Sequence, residues 1–295
     1  MKRRLETSEK VFKVISYTFL CLFSLICLYP FLYAVAASIS GKHAVEYGEV
    51  VLFPKDVQFL AFGNMFNNND FWNAYSNTLF LTFYGTVFAL LVAILGAYAL
   101  SKKRLLFRRF FNFFLVFTML FSAGLIPQYR NYLSTQEVFQ SIGIMDDKWL
   151  IVIAMGMAAM NIILLRNAFE GVPSEIEEAA IVDGATEFQV LRQVYIPMSK
   201  STIATVTLFF AISRWNGYFW AKQMISNKNE RPLQVFIRQT LEEYTDTETA
   251  PVFEHYATDS VIFALIVCSI IPILIIYPFI QKYFAKGVNM GGVKE

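Results

Sequence analysis

The chain has little of what soluble chemistry needs. Charged residues make up only 16% of its 295 positions, where soluble domains carry about 25%. That excludes an ordinary water-soluble domain if the apolar residues are clustered rather than scattered. The formal net charge is +2, which argues against nucleic acid or another polyanion as a partner. The two histidines, His43 and His255, are far apart. No Cys/His group has metal-ligand spacing, so no metal site is expected. Cys21, Cys27 and Cys268 each lie inside apolar runs and read as small hydrophobes, not a disulfide framework. No G-x-x-x-x-G-K-S/T run exists, since Gly41-Lys42 and Lys286-Gly287 lack the spacing. The chain therefore has no usual means of cradling ATP phosphates. No catalytic set is expected either. Glu46 near His43 and Glu254 beside His255 read as surface chemistry, not a clustered acid–base site.

What is present is apolar. Hydrophobic residues make up 56% of the chain and mean hydropathy is +0.46. A bilayer core of about 30 Å needs about 20 apolar residues of helix. Six stretches qualify, at roughly 12–39, 73–101, 107–126, 149–170, 201–224 and 259–284. The second carries Gly85, Ala89, Ala93, Gly96 and Ala97, and the fourth Gly156, Ala158 and Ala159. Small residues let helices approach closely in lipid, so a packed bundle is expected.

Lysine and arginine set the orientation. The segments 1–13, 101–110, 166–200 and 282–295 together hold 16, and the alternate loops hold 8. The positive-inside rule then places both termini in the cytoplasm. The run after "MKRRLETSEKVFK" is about 24 residues, longer than the usual apolar core of about 7–15 in a signal peptide, and reads as an uncleaved first helix. The longest outer loop, 221–258, should carry a helix on which Leu233, Phe236, Ile237, Thr240, Leu241 and Tyr244 follow helical spacing.

One inner loop is charged and helix-forming: "EEAAIVDGATEFQVLRQVYIP", residues 177–197. Ser174 followed by Glu177 predicts a capping box, as does Thr186 followed by Gln189. The first helix should stop at Gly184, which accepts positive φ. The second should end near Pro197, with Phe188, Leu191 and Tyr195 on one face. Polar residues flank that stripe too closely for burial in lipid. Two destinations remain open: a groove on a partner protein, or the headgroup interface. The scarcity of Lys and Arg on the polar face favours the first.

Glu178–Ala179–Ala180, Asp183, Gly184 and Ile196–Pro197 give this loop a resemblance to the cytoplasmic EAA loop of ABC importer permeases. "EEAAIVDGA" is similar to the version in carbohydrate-uptake permeases. "RWNGYFW" at 214–220 resembles the Trp-Asn segment of their fifth span. The ending "YPFIQKYFAKGVNMGGVKE" resembles the tail of the smaller maltose-permease-like subunit and of the related oligosaccharide and polysaccharide permeases. Departures are mild: Ile196 where leucine is common, and Ala221 where many relatives have proline.

The resemblance implies an all-α integral membrane fold: a six-helix type-1 importer domain with a cytoplasmic coupling helix. The type-1 domain would cover 73–284 with its loop at 171–200. An N-terminal segment, 1–72, would hold the first span, and a tail, 285–295, would come last. It implies a bacterial cell-membrane permease that is half of a carbohydrate path and is not itself an enzyme. ATP and Mg would sit on two separate ATP-binding subunits. A second permease and an extracytoplasmic solute-binding protein would complete the assembly. Glu178, Ala179, Ala180, Asp183, Gly184, Phe188, Leu191, Tyr195 and Pro197 would carry ATPase coupling. Two other classes compete. A self-contained secondary transporter would show more helices or a repeated half, and a membrane enzyme or scaffold would in the first case need a clustered site.

Arg214 stands inside the fifth span, where a cation costs about 2.5–3.5 kcal/mol on insertion scales. It should therefore line a water-filled cavity or find a carboxylate or carbonyl partner. Arg214 and Tyr218 share a helical face at i and i+4. With Asn216 they are the candidate substrate-path residues.

Overall fold

The computed structural model describes residues 7–143, 147–245 and 251–287, with side chains from Ser8 as far as Pro278. Most of the proposed tail, 288–295, lies outside the described residues. All regular structure among the described residues is helical. Contacts divide the chain into two compact units. One joins the chain up to Asn69 with Ile237–Pro272, and the other joins Asp70–Phe236 with the chain from Ile273 onward.

In the first unit, α1 (Thr7–Ser38) is a 32-residue apolar helix. Phe12, Phe19, Ile26 and Phe31 are among its many exposed apolar side chains, a surface suited to lipid. Two short helices come next, α2 (Lys42–Glu46) and α3 (Leu60–Phe66). Ala36, Ala37, Ala44, Val45, Val50 and Ala257 form a small core here. Polar ties close it: Lys42 Nζ donates to the Phe253 carbonyl at 2.7 Å, and Gln58 Nε2 to the His255 carbonyl at 3.1 Å.

The second unit is built around α4 (Asn69–Ser101), 33 residues long. Ala89, Ala93 and Ala97 recur every four residues and are 0–1% exposed. Cβ atoms four apart stack on one helical face, so the alanines form a narrow seam. Onto it pack Ile162, Leu165 and Phe169 of α8 (Ala159–Glu170) and Val206 and Phe210 of α12 (Lys200–Trp215). The small residues at 85–97 thus do what their spacing predicts.

The third, fourth and fifth spans are broken, which corrects the sequence reading, whereas the sixth is one helix. Residues 107–126 do not form one helix. α5 (Arg108–Leu120) has 13 residues, about 20 Å at 1.5 Å per residue. It turns by 115° into α6 (Leu125–Ser141). The fourth stretch divides into α7 (Asp147–Ala154) and α8, 47° apart. The α12 helix stops at Trp215, and α13 (Phe219–Met224) begins after a gap of three residues. Among the described residues, three helices are long and apolar enough to cross a membrane, and up to six spans result when each bent pair counts as one.

Between α8 and α12 lies a helical hairpin. α9 (Ser174–Val182) is followed by α10 (Glu187–Val190), a π turn at Leu191–Tyr195, and α11 (Ile196–Met198). An 87° bend then leads into α12. The helix predicted from spacing in the loop 221–258 is α14 (Leu233–Thr245), and α15 (Thr258–Gly287) ends the described chain.

The seam makes a direct test. Ala93→Leu adds volume where no space exists and should destabilise the purified protein by about 1–3 kcal/mol. Leu91→Ala, at a position 56% exposed, should change little. Thermal unfolding in detergent separates the two. An equal response from both would mean that α4 does not pack through its alanines.

Candidate functional site

The α9–α10 hairpin turns on Gly184, whose φ is +84°. The Ala185 N–H donates to the Ala180 carbonyl and the Gly184 N–H to the Ile181 carbonyl, both at 3.0 Å. This is a Schellman end, which places a left-handed residue at the position after the cap. The next helix starts with a complete capping box. The Thr186 N–H donates to Gln189 Oε1 at 2.7 Å, and the Gln189 N–H to Thr186 Oγ1 at 3.4 Å. Both features agree with the sequence expectation.

The Ser174 capping box does not form. Pro173 is the N-cap and no side chain caps the helix. The reason is that Glu177 is engaged elsewhere. Its carboxylate accepts from Lys102 Nζ at 2.7 Å and from the Tyr195 hydroxyl at 2.5 Å. Lys102 in turn lies 3.9 Å from the Tyr195 ring centroid and 4.2 Å from that of Tyr98. Around this centre Arg104 pairs with Glu187, Arg108 with Glu170, and Tyr98 donates to Glu187 at 2.8 Å. The ion pairs surround a cleft of about 600 Å³. Burial pushes Glu177 up, but the hydrogen bonds from Lys102 and Tyr195 and the charges of Lys102 and Arg104 outweigh it. Glu177 therefore titrates below the ordinary value of 4.5.

The expected outward stripe of Phe188, Leu191 and Tyr195 is split. Leu191 and Tyr195 are each 4% exposed, while Phe188 is 65% exposed. Leu191 already turns inward beside buried Val190, three residues after Phe188. The π turn at Leu191–Tyr195 then rotates the next turn of chain relative to an α-helix, so Tyr195, seven residues on, does not follow Phe188 either. Leu191 and Tyr195 join Ala97, Phe169 and Val190 in the core around α4. On the outer surface stand Ile181, Val182, Phe188 and Met198, with Glu178, Ala179, Asp183, Gly184 and Pro197 also exposed and Ala180 half-buried.

The second group of expected residues meets at the break between α12 and α13. Arg214 is 7% exposed. Its guanidinium donates to the Met155 carbonyl, in the gap between α7 and α8. Arg214, Asn216, Tyr218 and Trp220 line one cavity of about 350 Å³. A helical wheel would have spread these four around the axis. The helix ends at Trp215, so wheel spacing does not apply beyond it. Gly85 makes the arrangement possible, because a Cβ there would lie 3.0 Å from Arg214 Cδ and Nε.

Sequence reasoning missed Lys102, Arg104 and Arg108 as partners of the hairpin. Their signal was complementary charge: a basic run at 102–109 and an acidic run at 170–187. Among the described residues, no group of three or more His, Cys, Asp or Glu could hold a metal ion.

Long and broken apolar helices, with a helical hairpin between α8 and α12, define a multi-pass membrane protein. A family described as "binding-protein-dependent transport system inner membrane component" matches residues 85–290, and the chain belongs to it. It is thus a non-catalytic permease subunit of an ABC importer. The chain is 33% identical over 97% of its length to the polygalacturonan/rhamnogalacturonan transport system permease protein YtcP of Bacillus subtilis, covering 99% of that protein. It is 34% identical to Protein LplC of the same organism, covering 97% of this chain and 95% of that one. Its fold matches a chain in the crystal structure of a bacterial ABC transporter involved in the import of the acidic polysaccharide alginate. The TM-score is 0.84 at 41% identity, over 95% of this chain and 99% of that one.

The Glu177 centre has a pH signature. A carboxyl group whose folded pKa is depressed stabilises the fold above its unfolded value, and this is lost as pH falls through the folded value. Glu177→Gln should therefore lower the melting temperature at pH 7. The deficit should close as pH drops below 4.5. Lys102→Met should cost about 1–3 kcal/mol at pH 7, because it strips a buried carboxylate of a donor. A deficit independent of pH would show that the Glu177 charge contributes nothing.

Proposed function

We propose that the chain forms one half of the translocation path of an ATP-driven carbohydrate importer. In this reading the α9–α10 hairpin couples it to a separate ATP-hydrolysing chain. The observation that carries the coupling role is the two-sided hairpin. One side is anchored in the core through Val190, Leu191 and Tyr195. The other presents Phe188 with Val182 and Met198 to solvent. Unpaired large apolar side chains on a rigid turn are suited to the surface groove of a partner.

The partners are a second permease, two ATP-binding subunits carrying ATP and Mg, and an extracytoplasmic solute-binding protein. Support comes from the family description, which names binding-protein dependence, and from the missing phosphate-binding loop. A carbohydrate cargo is supported by relatives named for polygalacturonan and rhamnogalacturonan, maltodextrin and diacetylchitobiose. The excess of Lys and Arg on the hairpin side supports a cytoplasmic position for it and for both termini. The proposed coupling residues are Glu178, Ala179, Ala180, Asp183, Gly184, Phe188 and Pro197. Leu191 and Tyr195 act by anchoring the hairpin rather than by touching the ATPase. ATP can drive the cycle only if closure of the ATPases favours one permease state over the other.

Phe188→Ala should weaken co-purification of the ATPase by about 2 kcal/mol or more, roughly 30-fold, as expected for truncating an interface anchor. Gly184→Val meets no steric neighbour but must hold a left-handed φ, at about 1–2 kcal/mol. It should impair coupling while leaving the bundle folded. Unchanged assembly and unchanged transport in both variants would overturn the coupling role.

A further inference from the structure

We propose that the cavity at the α12–α13 break is a subsite for the carboxylate of an acidic sugar unit, with Arg214 as the residue that selects it. This rests on the carbohydrate reading above and narrows it to uronate-bearing chains. The cavity volume of about 350 Å³ lies within the range of about 300–1,000 Å³ typical of small-ligand pockets. Its walls supply what a sugar ring needs. The aromatic residues Tyr218 and Trp220 line it, and the Tyr132 and Trp220 rings stand edge-to-face with centroids 4.7 Å apart. Asn216 adds an amide.

The decisive feature is the charge. Arg214 is buried, yet its one protein hydrogen bond given by the structure goes to a neutral carbonyl, that of Met155. Its Nε is buried without a partner. Among the described residues, no carboxylate acts on it. A buried, uncompensated guanidinium is costly. A buried cation kept without a counter-charge, beside a cavity, is matched by an anion that comes and goes. A guanidinium fork binds a carboxylate through paired, charge-assisted hydrogen bonds. The α4 seam opens at Gly85 to let the side chain lie in this position, since a Cβ there would meet Arg214 at 3.0 Å.

The test uses the assembled complex of both permeases and the ATPases in detergent, without the binding protein. It is titrated with trigalacturonate and with its neutral methyl ester, and tryptophan fluorescence is monitored. The native complex should prefer the acid by about tenfold or more, the scale of one charge-assisted contact. Arg214→Gln should bring both ligands to the same affinity. Gly85→Ala, which keeps the charge but displaces it, should reduce the preference as well. Equal affinities in the native complex, a preference that survives Arg214→Gln, or no binding of either ligand would each overturn the subsite. A parallel uptake assay with the binding protein and oligosaccharides keeps the two readings apart. Uptake that persists when the titration fails leaves the importer reading standing, and no uptake of any oligosaccharide removes both.

Discussion

The packing of the α4 alanines in one core with side chains of α8 and α12 is the constraint on which the second unit depends. In lipid, burying apolar surface does not itself drive helices together, so contact relies on dispersion between surfaces that come near enough. Ala89, Ala93 and Ala97 provide that nearness at four-residue intervals. The same row of positions begins at Gly85, against Arg214, and reaches Ser101 and Lys102 beside the hairpin. From Gly85 to Lys102 the distance is about 25 Å at helical rise. One helix therefore meets Arg214 and the cavity near its middle and the ion-pair centre at its end. A side chain larger than alanine along this row would separate both sites from their common support.

Breaks in the spans obey the same accounting of backbone groups. Every N–H and C=O inside a bilayer must find a partner, so irregular backbone survives only where protein or a cavity supplies one. The gap between α7 and α8 frees the Met155 carbonyl, and Arg214 donates to it. The gap after Trp215 borders the cavity lined by Asn216 and Tyr218. Two interruptions and one buried cation thus answer one another. A broken neighbour offers Arg214 one acceptor and the arginine caps the break, while the charge itself is left without a counter-ion among the described residues.

The features legible in the sequence were local. Gly184 as a left-handed stop and the Thr186–Gln189 box need only residues within five positions of each other. The long helices α1, α4 and α15 need only apolar length. The features that escaped it depended on distant partners. Glu177 has the right spacing to cap Ser174, but Lys102 and Tyr195, 75 and 18 residues away, hold its carboxylate instead. The π turn has no Gly or Pro within it to announce it, and beyond it Tyr195 lies in the core with Leu191 rather than on the expected outer face. At Arg214–Trp220 the error was to extend a helical wheel past a helix end. The residue types chosen there were still the ones that the cavity gathers, because a cation in a span demands compensation whatever the backbone does.

Magnitudes decide how the hairpin is held. Its ion pairs are partly exposed, with Arg104 and Glu187 side chains 57% and 54% accessible, and pairs of that kind contribute about 0.2–1 kcal/mol. Burial of a Leu or Val side chain contributes about 1.5–3 kcal/mol, and Val190, Leu191 and Tyr195 are all buried. The apolar anchors therefore fix the hairpin to α4 and α8, and the charges set its orientation. The Lys102–Glu177 pair is the exception, because its side chains are 9% and 16% accessible. It joins the end of α4 to the first helix of the hairpin in a setting that water screens little. A force applied at Phe188 in the proposed coupling role would thus reach the bundle through packed side chains first. The Lys102–Glu177 pair would keep α9 from lagging behind α10.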